Sequence, residues 1–142
     1  MSVNIYLIFN GNCSEALDFY EQVFNTKKYQ KMTFGEAPQN PQYQIPEEVK
    51  QLVMHARMNI KESVLMFSDN YPGTPYTVGN NITLSYISKD VEDMKGIYNK
   101  LSEGGVVLQE LGETFWSKCY GSVIDKFGIG WQLSHDNGDM GM

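Results

Sequence analysis

The same grammar of elements is written twice in this chain, and no other sequence feature constrains the fold as much. "NIYLIFNG" is an aliphatic and aromatic run closed by Asn-Gly, which predicts a buried strand. "NCSEALDFYEQVF" follows at once as an amphipathic helix with Ala16, Tyr20, Val23 and Phe24 on one stripe, and Asn12 with Glu15 has the spacing of a capping box. "KYQKMTFGEAP" predicts a second strand, "PQNPQYQIPEE" a proline-rich loop, and "QLVMHARMNI" with "SVLMFSD" a hairpin turning at Lys61-Glu62. After the linker "NYPGTPYTVGN" the order restarts with the strand "NITLSYI". "SKDVEDMKGIYNKLSEGG" predicts a helix capped by Ser88, striped by Val91, Met94, Ile97, Tyr98 and Leu101, and stopped at Gly104-Gly105. "VVLQELGETFW" and the hairpin "YGSVIDKFGIGWQLSH", turning at Lys126-Phe127-Gly128, complete the second series.

Each half therefore reads strand, helix, strand, strand, strand. Residue identity between the halves is slight, so the repeat is one of pattern. A four-stranded sheet with one helix buries only one of its faces. Two such units side by side can curl the uncovered faces around a shared cleft, with the helices outside. The expectation is an α+β fold of two βαβββ modules, about 1–69 and 80–135, in a single domain spanning 1–142. The polar, glycine-rich stretch 136–142 is expected to be a flexible tail.

Charge and cysteine usage exclude several classes. Seventeen acidic residues against 11 basic ones give a net charge of -6, which repels phosphate backbones and anionic membranes, so neither nucleic acid nor a membrane is expected as a partner. Cys13 and Cys119 form no CxxC pair and no Cys/His cluster, which points away from a disulfide framework or a structural zinc and toward a reducing cytoplasm. "MSVNIYLIFNGN" has no basic leader, and its apolar run is too short for a signal or a span.

Strand alternation then nominates site residues. In the last strand Ile129, Trp131 and Leu133 share one face and Gly130, Gln132 and Ser134 the other. Gln132 either lines the cleft and offers its amide to a ligand, or bonds a neighbouring strand with Asn81 as partner. Met54, Ala56 and Met58 read as a helix-facing row, which puts His55 and Arg57 on the cleft side. His55 suits acid or base chemistry, against a packing role. Arg57 suits an anionic substrate, against an ion pair with Glu36. Asn81, Thr83 and Ser85 alternate with Ile82, Leu84 and Tyr86, as the polar row of the strand opening the second module. Phe115, Trp116 and Tyr120 can wall a flat apolar ligand or fill core or interface. Met32, Met54, Met58 and Met66 read as adaptable core filling. Cys13 stands at a helix start, where a thiolate is favoured, without a histidine beside it, and His135 abuts the tail, where solvent is its expected neighbour.

"YLIFNGNCSEALDFYEQVF", "MHARM", "LMFSD" and "FWSKCYGSVIDKFGIGWQ" together resemble the PhnB-like branch of the vicinal oxygen chelate superfamily, the group of glyoxalase I, dihydroxybiphenyl and other extradiol dioxygenases, and bleomycin or fosfomycin resistance proteins. The likeness runs from Tyr6 to Gln132, with Ser117 where glycine is expected and Lys126 where proline is common. It implies the paired βαβββ fold, curved mixed sheets and a homodimer. Members that use a divalent metal draw ligands from the first and last strands of each module, and those places match Asn4, Met66, Asn81 and Gln132 here. None of the four is a carboxylate or an imidazole, so neither a metal centre nor a cofactor is expected. The loss of all four ligand types favours a small-molecule binder, and the strand faces opposite the helix-facing rows give it a cleft lined by Tyr6, His55, Met66, Asn81, Thr83 and Gln132, with Trp116 near its mouth. The alternative is an enzyme: one of the glyoxalase-like kind without the standard metal set, with His55 as acid or base, a metal-dependent glyoxalase-like lyase, isomerase or dioxygenase, or a protein like the 3-demethylubiquinone methyltransferases.

Overall fold

The structure, a computed structural model, describes residues 1–136, and the chain forms two compact units, Met1–Tyr76 and a second beginning at Thr77. Most of the tail expected at 136–142 lies outside the described residues. Asp136 itself is held, its N–H donating to the Ser88 carbonyl at 2.7 Å.

Unit 1 contains β1 (Ile5–Phe9), α1 (Cys13–Phe24), β2 (Gln30–Thr33), β3 (Val53–Ile60) and β4 (Ser63–Asp69). Its sheet order is β1-β4-β3-β2, with β1 parallel to β4 and the other pairs antiparallel. The helix stripe predicted from spacing is the buried one: Ala16, Tyr20, Val23 and Phe24, joined by Cys13 and Leu17. It packs on β3 and β4, where Phe67 stacks at 6.2 Å from Phe9 and 6.1 Å from Tyr20. Each such side chain removed from water contributes about 1.5–3 kcal/mol, which is what fastens helix to sheet.

Two local expectations fail in this unit for identifiable reasons. Asn12 makes no side-chain cap. The start of α1 is held from β4 instead, because Asp69 Oδ1 accepts the N–H groups of Gly11 and Cys13 at 2.9 and 3.0 Å, while Oδ2 accepts that of Val53 at 2.8 Å. The helix-facing row of β3 also changes phase. Met32 pairs with His55 but Thr33 with Val53, so the register skips Met54. Val53 is buried with Ala56, Met58 and Ile60, and Met54 is only half-buried.

Unit 2 contains β5 (Thr83–Ser88), α2 (Val91–Ser102), β6 (Val106–Gly112), β7 (Tyr120–Ile124) and β8 (Gly130–His135), in the order β5-β8-β7-β6 with β5 parallel to β8. Met94, Ile97, Tyr98 and Leu101 are the buried side of α2, which packs over all four strands. Its cap is Asp90, not Ser88: the Asp90 side chain accepts from the N–H groups of Glu92 and Asp93, and the Ser88 hydroxyl accepts from the Asp90 N–H at 3.0 Å. Past the helix end Gly104 takes φ +73°, a left-handed conformation that suits glycine. The β7–β8 turn falls where the sequence puts it. Asp125, buried, accepts the N–H groups of Phe127 and Ile129 and the indole N–H of Trp131, the last at 2.9 Å. The opening strand is shorter than expected, since β5 starts at Thr83, which leaves Asn81 before it and Ile82 77% exposed.

Candidate functional site

In each unit the helix covers one face of the sheet and the other face stays open. On unit 1 the ladder sets Tyr6 beside Met66, Met66 beside Arg57, and Arg57 beside Gln30, one residue from each strand in a row. Tyr6, His55, Arg57 and Ile8 are exposed and Met66 is half-buried. The Tyr6 hydroxyl lies 3.3 Å from His55 Nδ1, with ring centroids 5.8 Å apart. A phenol and an imidazole at that separation are within hydrogen-bond reach and can present a donor and an acceptor to one ligand. Arg57 is not paired with Glu36, whose carboxylate accepts the Thr33 N–H at 2.9 Å. That bond, with the Thr33 hydroxyl, holds Glu36 below the usual carboxylate range.

On unit 2 the open face carries Thr83 and Ser85 of β5, Gln132 of β8, and Ser122 and Tyr120 of β7. Gln132 is half-buried and both ends of its amide are engaged: Oε1 accepts from the Tyr120 hydroxyl at 3.1 Å and Nε2 donates to Thr83 Oγ1 at 3.0 Å. The sequence reading of Tyr120 as aromatic wall, core or interface misses this hydrogen bond, although its spacing of two from Ser122 puts it on the same face as Gln132. Asn81, expected in this row and as the partner of Gln132, is outside the strand and takes neither place. Trp116 is in the β6–β7 connection, edge-on to Phe115 at 4.8 Å and to Tyr120 at 5.4 Å. Phe115 is 97% exposed and Trp116 46%, so neither fills the core, while Tyr120 is half-buried.

The residues present do not fit the divalent metal of metal-using relatives. Asn4 precedes β1 and Asn81 precedes β5, Met66 offers only a thioether, and Gln132 is committed to Tyr120 and Thr83. A dehydrated divalent cation needs anionic oxygen or imidazole nitrogen in compensation. Among the described residues no group of three or more His, Cys, Asp or Glu comes together. Two further expectations are corrected. Burial, with the Asp69 charge, pushes the Cys13 thiol up to about 12, opposite to the shift expected at a helix start. His135 is not left to solvent, since its Nε2 lies 3.1 Å from the Lys89 carbonyl.

Two helix-backed sheets of βαβββ order, each with an open face bearing polar and apolar side chains, define a two-module α+β protein with the fold of the vicinal oxygen chelate proteins. Within that class the chain belongs to the family described as 3-demethylubiquinone-9 3-methyltransferase, whose model matches residues 1–134. It is 32% identical to Protein YjdN of Escherichia coli (strain K12), over 94% of this chain and 95% of that one. The crystal structure of protein PA1353 from Pseudomonas aeruginosa matches at 34% identity and a TM-score of 0.80, over 94% and 98% of the two chains. A putative 3-demethylubiquinone-9 3-methyltransferase, PhnB protein, from Bacillus cereus matches at 24% identity and a TM-score of 0.73, over 95% and 99%. A glyoxylase/bleomycin resistance protein/dioxygenase domain from Frankia sp. EAN1pec shares the fold at 9% identity and a TM-score of 0.65, over 95% and 96%. No helix among the described residues is long and apolar enough to cross a membrane.

Proposed function

We propose that this protein binds a small, partly aromatic or oxygenated molecule on the open faces of its sheets, without the divalent metal used by other proteins of its fold. The observation that carries the reading is the Tyr6–His55 contact, a hydrogen-bonded pair held on a face where Ile8 and Met32 offer exposed apolar surface. On unit 2, Gln132, Thr83 and Tyr120 form a pre-ordered polar group that a ligand can meet without rearrangement. The methyltransferase description of the family adds no residue role to this picture. Binding is favoured over turnover because the donor set at Asn4, Met66, Asn81 and Gln132 is wrong for the metal on which glyoxalase and dioxygenase chemistry depends. A homodimer that covers the open faces, in the reducing cytoplasm suited to two buried, unpaired cysteines, belongs to the same reading.

The test is a thermal-shift panel of neutral and anionic aromatic or oxygenated molecules against wild type, His55→Ala and Tyr6→Phe. His55 is exposed, so its removal should change stability by about 0.5 kcal/mol or less while weakening a hit by about tenfold. A hit bound equally well by His55→Ala overturns the role of the pair. Stoichiometric uptake of zinc, nickel or manganese in calorimetry overturns the metal-free reading.

A further inference from the structure

Beside the open face of unit 1 lies a concavity of 390 Å³ lined by Lys27, Lys28, Gln30, Arg57 and Asn59. Its placement follows from the fold. Gln30 and Arg57 are direct partners across β2 and β3, Asn59 is two residues further along the same face of β3, and Lys27 and Lys28 come from the connection that leaves α1. Lys28 is compensated, with its Nζ 4.0 Å from Asp18 and 3.6 Å from Glu21, and it lies 4.1 Å above the Tyr29 ring. Among the described residues, the Lys27 ammonium and the Arg57 guanidinium have no ion-pair or hydrogen-bond partner, and the side-chain amides of Gln30 and Asn59 have none either. Two uncompensated cations and two free amides thus converge on one hollow of a chain whose net charge is -6.

We infer that this hollow is an oxyanion subsite, and that the molecule bound on the open face carries a carboxylate or phosphate group. The second half of that statement rests on the functional reading above; the subsite itself does not. A guanidinium presents paired N–H donors that match two oxygens of such a group, an ammonium adds a point charge, and amide N–H groups complete the cradle. Arg57 joins the subsite to the rest of the face, since it lies beside Met66 in the ladder and Met66 beside Tyr6, whose hydroxyl meets His55. All five lining residues are exposed, so the attraction is screened by salt and the bare ion should bind weakly.

Inorganic phosphate and, in a second arm, acetate are titrated into the ¹⁵N-labelled protein at constant ionic strength, with chloride as the balancing ion. Expected are saturable shifts in the millimolar range at the amides of Lys27, Lys28, Gln30, Arg57 and Asn59, with Arg57→Gln and Lys27→Gln each weakening the ion about tenfold, equivalent to 1.4 kcal/mol. The tighter of the two ions identifies the group as phosphate or carboxylate. His55→Ala should leave phosphate affinity unchanged, which separates the subsite from the Tyr6–His55 pair. Shifts that fail to saturate with either ion, or that are the same in Arg57→Gln, overturn the inference. A null small-molecule panel alongside intact phosphate binding overturns the reading of the open face and leaves the subsite standing.

Discussion

Cys13 opens α1, where the helix dipole by itself favours a thiolate. Burial wins over the dipole, and the thiol is pushed from an ordinary value of 9.0 to about 12. The folded protein therefore keeps this proton over a range in which the unfolded chain loses it. By linkage the contribution to stability is intact below pH 9 and falls as pH rises from about 9 toward 12. The loss from this group is at most about 1.4 kcal/mol per unit of pH. Urea unfolding of wild type and Cys13→Ala at pH 8 and pH 10.5 checks it, since the drop between the two pH values should be smaller in the variant. Wild type should also fail to react with an aromatic disulfide reagent at pH 8 until it is denatured. The position of Cys13 at a helix start is readable from the sequence; its complete burial depends on what β4 places over it, which is not.

At the scale of elements, the two helices begin under different kinds of control. The cap of α2 is Asp90, adjacent in sequence to the residues it serves, whereas α1 is capped by Asp69 from the far end of the unit's last strand. Asp69 accepts three backbone N–H groups, two of them buried and that of Gly11 part-buried, so Asp69→Ala leaves the Cys13 and Val53 groups unpaired away from water and should cost about 2–4 kcal/mol in urea unfolding. Asp69→Asn, with a single acceptor oxygen, should lie between the variant and wild type. This contrast also explains which parts of the architecture were legible. Helix stripes and strand alternation are local periodicities, and they put all ten elements in the right order. The cap from Asp69, the phase change at Met54 and the late start of β5 depend on pairing between distant segments. At the site, alternation sets His55, Arg57 and Gln132 opposite the helix-facing rows, but it could not tell that Gln132 meets Thr83 rather than Asn81, or that Arg57 is free of Glu36.

For the whole molecule, the exposed apolar side chains are the feature with the largest consequence. Tyr6, Ile8 and Met32 on unit 1 and Ile87, Val106, Leu108, Phe115 and Trp116 on unit 2 are all exposed. The proposed homodimer covers them. Sedimentation equilibrium should give about twice the chain's 16.2 kDa at micromolar concentration, and a monomer there would remove the dimer from the proposal. The repeat of pattern that organises the chain does not extend to its chromophores. Both tryptophans fall in unit 2, Trp131 buried with its indole on Asp125 and Trp116 half out in solvent among Phe115 and Tyr120. Intrinsic indole emission is therefore a window on one half of the protein only, while far-ultraviolet dichroism registers a helix from each. Melting curves that coincide by the two signals would mean that the halves come apart together, and curves that separate would time the loss of the second half on its own.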